Sequence, residues 1–134
     1  MHLTRKVLRT ILLFLVPCSL FLSGCGGNGY KHITQDEAQA MIASSPDAIV
    51  LDVRSPEEYE KRHIPDALLV PIDNLRAGDF SKLPDKDAMI LVYCWTGRRA
   101  EDAAKILVEH GYKHVYEFGG LVDWKGAVEG TELK

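Results

Sequence analysis

Short apolar runs alternate with amphipathic segments along most of the chain. Residues 49–51, 67–70 and 89–93 are continuous apolar runs, which are typical of strands buried on both faces of a sheet. A further strand is predicted at residues 114–118, and the glycine pair at 119–120 predicts a break after it. Strands that alternate with helices indicate an α/β fold, with a mostly parallel central sheet and helices on both of its faces.

Capping boxes mark where two helices begin. Thr34 and Glu37 predict a helix that ends near Ala43, and Ser55 with Glu58 predicts a second helix. A longer helix is predicted after residue 97, since apolar side chains repeat there at helical spacing and a glycine follows. The residues of that pattern are Ala100, Ala103, Ala104, Leu107 and Val108, followed by Gly111. A loop or short helix is predicted at residues 73–77, and a short helix at 121–124.

Cys94 lies where the strongest apolar run ends and the long helix begins. The first N–H groups of a helix have no partner within it, and the helix dipole favours an anion at this end. Such a position favours the thiolate, which is the nucleophilic form of cysteine. Arg98 and Arg99 add positive charge. Together these features favour a reactive thiol over an inert core cysteine. Asp52 follows another buried run and is expected at the same edge of the sheet.

The first residues have the pattern of an export signal. Arg5, Lys6 and Arg9 precede an apolar stretch at residues 11–22, which is short for a membrane span. Small residues then precede Cys25, an arrangement that resembles a bacterial lipobox and implies lipidation of that cysteine. The expected organisation is a lipoprotein signal peptide at 1–24, a lipidated cysteine with a glycine-rich tether at 25–30, and one domain at 31–134.

Removal of the leader changes the charge and the cysteine count. The leader holds three of the 16 basic residues and none of the 19 acidic ones, which leaves 13 basic and 19 acidic side chains and a net charge of −6. That balance argues against a nucleic-acid partner. Cys18 leaves with the leader, so Cys94 would be the one free thiol and no internal disulfide is possible. No zinc-ligand spacing or cofactor motif is present in the sequence.

Export also predicts the location. The protein is expected to be lipid-anchored to a bacterial membrane, facing the periplasm or the cell exterior. Gly26 follows the cysteine, where an aspartate is associated with retention at the inner membrane in some Gram-negative bacteria. In a cell that has an outer membrane, the sequence therefore favours that membrane.

Three segments resemble the single-domain rhodanese-like sulfurtransferases. The first is Leu51-Asp52-Val53-Arg54, which runs through Glu58 towards His63-Ile64-Pro65. The second is the loop Cys94-Trp95-Thr96-Gly97-Arg98-Arg99, which fits a C-x-x-G-x-R pattern. The third is Gly119-Gly120-Leu121-Val122-Asp123-Trp124. Their order and spacing make the resemblance specific, and it covers nearly all of the expected domain.

The resemblance implies a cysteine nucleophile in a six-residue loop. In rhodaneses the thiolate accepts sulfane sulfur from a donor such as thiosulfate, and the resulting persulfide passes it to cyanide or another thiophilic acceptor. Cys94 would carry the sulfur, and its loop, Trp95, Thr96, Gly97, Arg98 and Arg99, would bind substrate and persulfide. Asp52, Arg54 and Glu58 are expected to support the site. Arg99 either binds substrate or holds the loop, and Asp52 and Arg54 pair with each other or with Glu58.

The sequence departs from the family at three positions. Arg62 and Asp66 stand where many members have glycine, and Ala100 stands where many have serine. Two other functions remain open at this point. Related phosphatases and arsenate reductases use a cysteine-arginine loop on oxyanions, although their loop is longer. Some rhodanese-like domains are non-catalytic binding modules, although such members often lack the cysteine.

Overall fold

A parallel sheet forms the centre of the molecule, and the computed structural model describes residues 29–133. The strands are β1 Lys31–His32, β2 Ile49–Asp52, β3 Leu68–Leu69, β4 Met89–Cys94 and β5 His114–Gly120. The helices are α1 Gln35–Ser44, α2 Pro56–Lys61, α3 Ile72–Arg76 and α4 Arg98–Glu109, with short 3-10 helices at Leu121–Asp123 and Thr131–Leu133. The strand order is β1-β5-β4-β2-β3, and every neighbouring pair is parallel.

Capping boxes begin α1 and α2, as the sequence predicts. Thr34 Oγ1 accepts from the N–H of Glu37 at 3.1 Å, and the Glu37 carboxylate accepts from the N–H of Thr34 at 2.7 Å. Ser55 and Glu58 make the same exchange at 3.2 and 2.9 Å. Each box provides hydrogen-bond acceptors for two N–H groups that have no partner within the helix. The boxes therefore fix the residue at which each helix begins.

Alternate residues of the central strands face two separate cores. Ile90 and Val92 of β4 pack with α3 and α4 on one face. Leu91 and Tyr93 pack on the other face with residues of α1, together with Trp124. Helices therefore cover both faces of a parallel sheet, and the α/β prediction is confirmed. The indole of Trp124 is 9% exposed and lies in this second core.

The end of β5 differs from the sequence prediction. Gly119 and Gly120 were expected to break the strand, but both belong to it, and Gly120 pairs with Cys94 across an irregular register. Gly119 has φ +85°, a conformation that glycine adopts without strain. The glycines bend the strand without ending it, since β4 offers pairing partners as far as Cys94.

Strand β1 has no counterpart in the sequence prediction. Lys31 and His32 are exposed and polar, so no apolar pattern marks them. They form a strand because the backbone of β5 offers a free edge, with Lys31 opposite Tyr116 and His32 opposite Glu117.

The signal peptide, Cys25 and most of the tether lie outside the described residues. Within residues 29–133, no helix has the length and apolar character needed to cross a membrane.

Candidate active site

The loop from Cys94 to Arg99 joins the end of β4 to the start of α4. Cys94 is 1% exposed, and its side chain packs in the core beneath α4. The N–H of Gly97 donates to Cys94 Sγ at 3.0 Å. Gly97 has φ +106°, so the backbone turns back over the sulfur in a conformation that other residues adopt only with strain. The chain thus wraps around its own thiol before the helix begins.

The glycines of β5 form a platform beneath this loop. A Cβ on Gly97 would lie 3.2 Å from Gly119 Cα, and a Cβ on Gly120 would lie 2.0 Å from the carbonyl oxygen of Trp95. That same carbonyl accepts from the N–H of Val122 at 3.1 Å. A Cβ on Gly120 would overlap the loop backbone, and a Cβ on Gly97 would be tight against Gly119, so these glycines set how closely β5 and the loop approach.

Helix α4 begins at Arg98, and Gly97 before it is the N-cap residue, with no capping side chain from any described residue. The first N–H groups of α4 are therefore available to an anion, and the helix dipole favours one. A sulfur anion at Cys94 lies at this end of the helix. Backbone donors are fixed before any reaction begins, so they can stabilise developing charge without reorganisation.

Arg99 is held by Glu58 of α2. Its two terminal nitrogens donate to the two carboxylate oxygens, each at 2.8 Å. The hydrogen bonds from Arg99 lower the pKa of Glu58 from its usual 4.5 to about 2, and those from Ser55 act in the same direction. The pKa of Arg99 is raised, chiefly by the same hydrogen bonds. Of the two expected roles of Arg99, this geometry favours holding the loop, through the carboxylate of Glu58.

Asp52 and Arg54 form a buried ion pair at the end of β2, with exposed fractions of 0% and 2%. Arg54 Nη2 donates to Asp52 Oδ2 at 2.7 Å and to the carbonyl of Arg62 at 2.6 Å. Burial tends to lower the pKa of Arg54, but the hydrogen bonds and charge of Asp52 outweigh it and the pKa is raised. The sequence left open whether Asp52 and Arg54 pair with each other or with Glu58, and in the structure they pair with each other.

The remaining loop side chains lie on the surface. Trp95 is 39% exposed, and Thr96 and Arg98 are exposed as well. Thr96, Gly97 and Arg98 border a cavity of about 520 Å³ between the loop and β1. Arg98 forms no ion pair with any residue that the structure describes, so its charge remains available to an approaching anion.

Glu117 is a buried carboxylate beside the loop that the sequence analysis missed. It is 4% exposed, and it accepts from the N–H of Gly119 at 2.5 Å. Its other oxygen lies 2.6 Å from His32 Nδ1. An acidic residue inside a strand was a possible signal, but its partner on β1 could not be foreseen because β1 itself was not predicted.

A family model for the rhodanese-like domain matches residues 34–127. This chain belongs to the rhodanese-like family. A thiosulfate sulfurtransferase, GlpE, from Coxiella burnetii is 37% identical over 97 residues, which cover 72% of this chain and 88% of that protein. The thiosulfate sulfurtransferase PspE from Escherichia coli is 40% identical over 73 residues, covering 54% of this chain and 70% of that protein.

Solved structures show the same likeness to the rhodanese-like fold. A rhodanese from E. coli, solved with anions, superposes with a TM-score of 0.57 at 34% identity, covering 63% of this chain and 99% of that one. A rhodanese-like domain from Anabaena sp. superposes with a TM-score of 0.69 at 28% identity, covering 77% of this chain and 81% of that one.

The residues of this rhodanese-like site fall into two groups. In the first group, the backbone N–H of Gly97 contacts the sulfur and Arg98 is exposed on the same loop. In the second, Asp52, Arg54, Glu58 and Arg99 form ion pairs that brace the surrounding elements. Within residues 29–133, no group of three or more His, Cys, Asp or Glu side chains is placed to hold a metal ion.

Proposed function

We propose that this protein is a sulfurtransferase that moves sulfane sulfur from a donor such as thiosulfate to a thiophilic acceptor through a persulfide on Cys94. The observation that carries the proposal is the intact loop, in which the N–H of Gly97 donates to Cys94 Sγ at 3.0 Å. Relatives that are 37% and 40% identical are thiosulfate sulfurtransferases. Their identity and the loop geometry support the same chemistry here.

In the first half-reaction the Cys94 thiolate attacks the sulfane sulfur of thiosulfate. A bond forms between Sγ and that sulfur, the bond between the two thiosulfate sulfurs breaks, and sulfite leaves with the electron pair. In the second half-reaction the acceptor attacks the outer sulfur and Cys94 returns to the thiolate. Both steps are nucleophilic displacements that need no external oxidant or reductant.

The loop stabilises the anionic sulfur throughout this cycle. The backbone N–H of Gly97 and the free N–H groups at the start of α4 face the charge that moves between Sγ and the outer sulfur. Arg98 is exposed beside them and attracts a dianionic donor. Arg99 acts indirectly, by fixing the first turn of α4 against α2 through Glu58.

Thiocyanate production from thiosulfate and cyanide tests this function. The wild-type domain should turn over, and Cys94→Ser should lose at least a thousandfold in rate, because the hydroxyl cannot carry the sulfur. Arg76→Gln is a control, since Arg76 pairs with Asp73 and Asp102, neither of which belongs to the loop. Equal rates for wild type and Cys94→Ser would reject the proposal.

We further propose that the enzyme is exported as a lipoprotein, anchored through Cys25 with its catalytic domain in the periplasm or at the cell exterior. The basic and apolar leader and the small residues before Cys25 support this. Cells grown with labelled palmitate should label the wild-type protein but not Cys25→Ser. An unprocessed, unlabelled wild-type protein would contradict the anchor, and fractionation of membranes would test the expected outer-membrane location.

A further inference from the structure

Two cationic side chains, Lys61 and Arg62, lie near the cysteine loop, at the end of α2. They border a cavity of about 210 Å³. The lining residues are Arg54, Glu58, Lys61, Arg62, Trp95 and Glu132. The volume is several times the share of one molecule in liquid water, about 30 Å³. The cavity therefore has room for a small organic molecule.

This cavity adjoins the sulfur-carrying loop. Trp95, which lines it, directly follows Cys94 in the chain. Glu58, also in the lining, holds Arg99 at the other end of the loop through two hydrogen bonds of 2.8 Å. A molecule in the cavity would therefore contact residues that belong to the loop or position it.

Two of the lining cations have no ion-pair partner among the residues that the structure describes. Arg54 is committed to Asp52, whereas Lys61 and Arg62 make no ion pair with any residue between 29 and 133. The Nε of Arg62 is buried, and no acceptor among the described residues reaches it. A buried donor without an acceptor is costly, so a rotamer of Arg62 that turns Nε towards an anion in the cavity would be favoured.

The backbone around Arg62 is held firmly in place. Its carbonyl accepts from Arg54 Nη2 at 2.6 Å. The next residue, His63, exchanges two backbone hydrogen bonds of 2.8 Å with Glu129. A Cβ on Gly130 would lie 2.1 Å from the carbonyl oxygen of Lys61, so the two segments pack at backbone distance. A cation on a fixed backbone loses less entropy when it binds a ligand.

We propose that Arg62, assisted by Lys61, binds the carboxylate of the sulfur acceptor, and that this acceptor is a small thiol that carries a carboxylate. The inference rests on the sulfurtransferase function proposed above. A guanidinium matches a carboxylate through two parallel hydrogen bonds. The exposed Trp95 offers an apolar wall for the carbon chain between the two ends of such a thiol. Glu132 on the same rim is complementary to an ammonium group, so an amino-acid thiol fits as well.

The transfer step balances without another reactant. The acceptor thiolate attacks the outer sulfur of the Cys94 persulfide and forms a new sulfur–sulfur bond. The bond between that sulfur and Sγ breaks, Sγ keeps the electron pair, and the acceptor leaves as a persulfide anion. Arg62 takes no part in the bond changes and acts as a specificity-determining residue.

The acceptor half-reaction tests the inference separately from the donor half-reaction. Cys94 is first loaded with inorganic polysulfide, so that the test does not depend on thiosulfate as donor. Loss of the added sulfur is then followed by intact mass with 3-mercaptopropionate, 2-mercaptoethanol or cysteamine, compared at equal thiolate concentration. The wild type should react about tenfold faster with 3-mercaptopropionate than with 2-mercaptoethanol, which is the effect of one charge-assisted hydrogen bond.

Arg62→Gln should reduce this preference to about one, Arg62→Lys should retain part of it, and Arg76→Gln should leave it at the wild-type value. A wild type without the preference, or an Arg62→Gln variant that keeps it, would overturn the inference. Failure of thiosulfate alone to load Cys94 would count against thiosulfate as the donor and would leave this result unchanged. Failure of polysulfide to load it would overturn the persulfide function and the acceptor site together.

Discussion

Gly97 has the conformation on which the thiol environment depends most directly. Its φ of +106° places its N–H on Cys94 Sγ, and a Cβ there would lie 3.2 Å from Gly119 Cα. Gly97→Ala should therefore shift the loop and slow sulfur loading on the order of a hundredfold, as expected for a reacting group displaced by about 1 Å. The measurement is the rate of persulfide formation with thiosulfate.

Gly78 provides the matched control for Gly97. It has φ +80°, and no described atom lies within 4 Å of a Cβ built there. Gly78→Ala should destabilise the protein by about 1 kcal/mol through backbone strain alone and leave the loading rate unchanged. If Gly97→Ala loaded sulfur as fast as Gly78→Ala, the loop geometry would not control the thiol.

The buried pair of Asp52 and Arg54 is expected to be critical for stability. Asp52→Asn removes the charge that compensates a guanidinium that is 2% exposed. Breaking a buried pair on one side costs about 3–5 kcal/mol, and urea unfolding should show a loss of that size. Asp87→Asn is the control, because Asp87 and Lys113 are both mostly exposed. A loss no greater than the control would contradict the buried pair.

At the scale of elements, Glu58 links the start of α2 to the start of α4. Its pKa is lowered from 4.5 to about 2, chiefly by Arg99. A lowered pKa in the folded state stabilises the protein above pH 4.5, and this contribution disappears as the pH falls from about 4.5 to 2. Glu58→Gln should cost about 1 kcal/mol at pH 7, after allowance for solvent screening of a partly exposed pair.

Unfolding measured between pH 2 and 7 checks this dependence. The stability difference between wild type and Glu58→Gln should be constant near neutral pH and vanish towards pH 2. Glu101→Gln on α4 is a control, since Glu101 forms an exposed pair with Lys105 and should show a smaller difference. A difference that grew as the pH fell would contradict the ion pair with Arg99.

The sequence predicts those elements whose signals are local. Both capping boxes, the strands before Asp52 and Cys94, and the helix after Gly97 depend on neighbouring residues, and all are observed. Pairings between distant segments could not be predicted. Glu58 and Arg99 are 41 residues apart, and no local pattern marks them as partners.

At the scale of the whole molecule, sheet order decides what lies next to the site. Strand β1 joins the sheet only through β5 and places His32 on Glu117 beside the loop. His32 lies outside every predicted element and Glu117 was predicted only as part of a strand, so their contact was not predicted. The antiparallel bridge between His63 and Glu129 similarly brings the C-terminal segment to the cavity at Arg62. The fold class was predictable because strands and helices alternate along the sequence. The contacts at the sheet edge and at the C-terminal segment depend on which distant segments become neighbours in the folded protein.

The proposed sulfurtransferase function depends above all on Cys94 as the sulfur carrier. Intact-mass analysis of the purified, sulfur-free protein after exposure to thiosulfate tests this most directly. Wild type should gain the mass of one sulfur atom, located at Cys94 by peptide mapping and removed by cyanide, while Cys94→Ser should gain nothing. An unchanged wild-type mass, or the same gain in Cys94→Ser, would contradict the account.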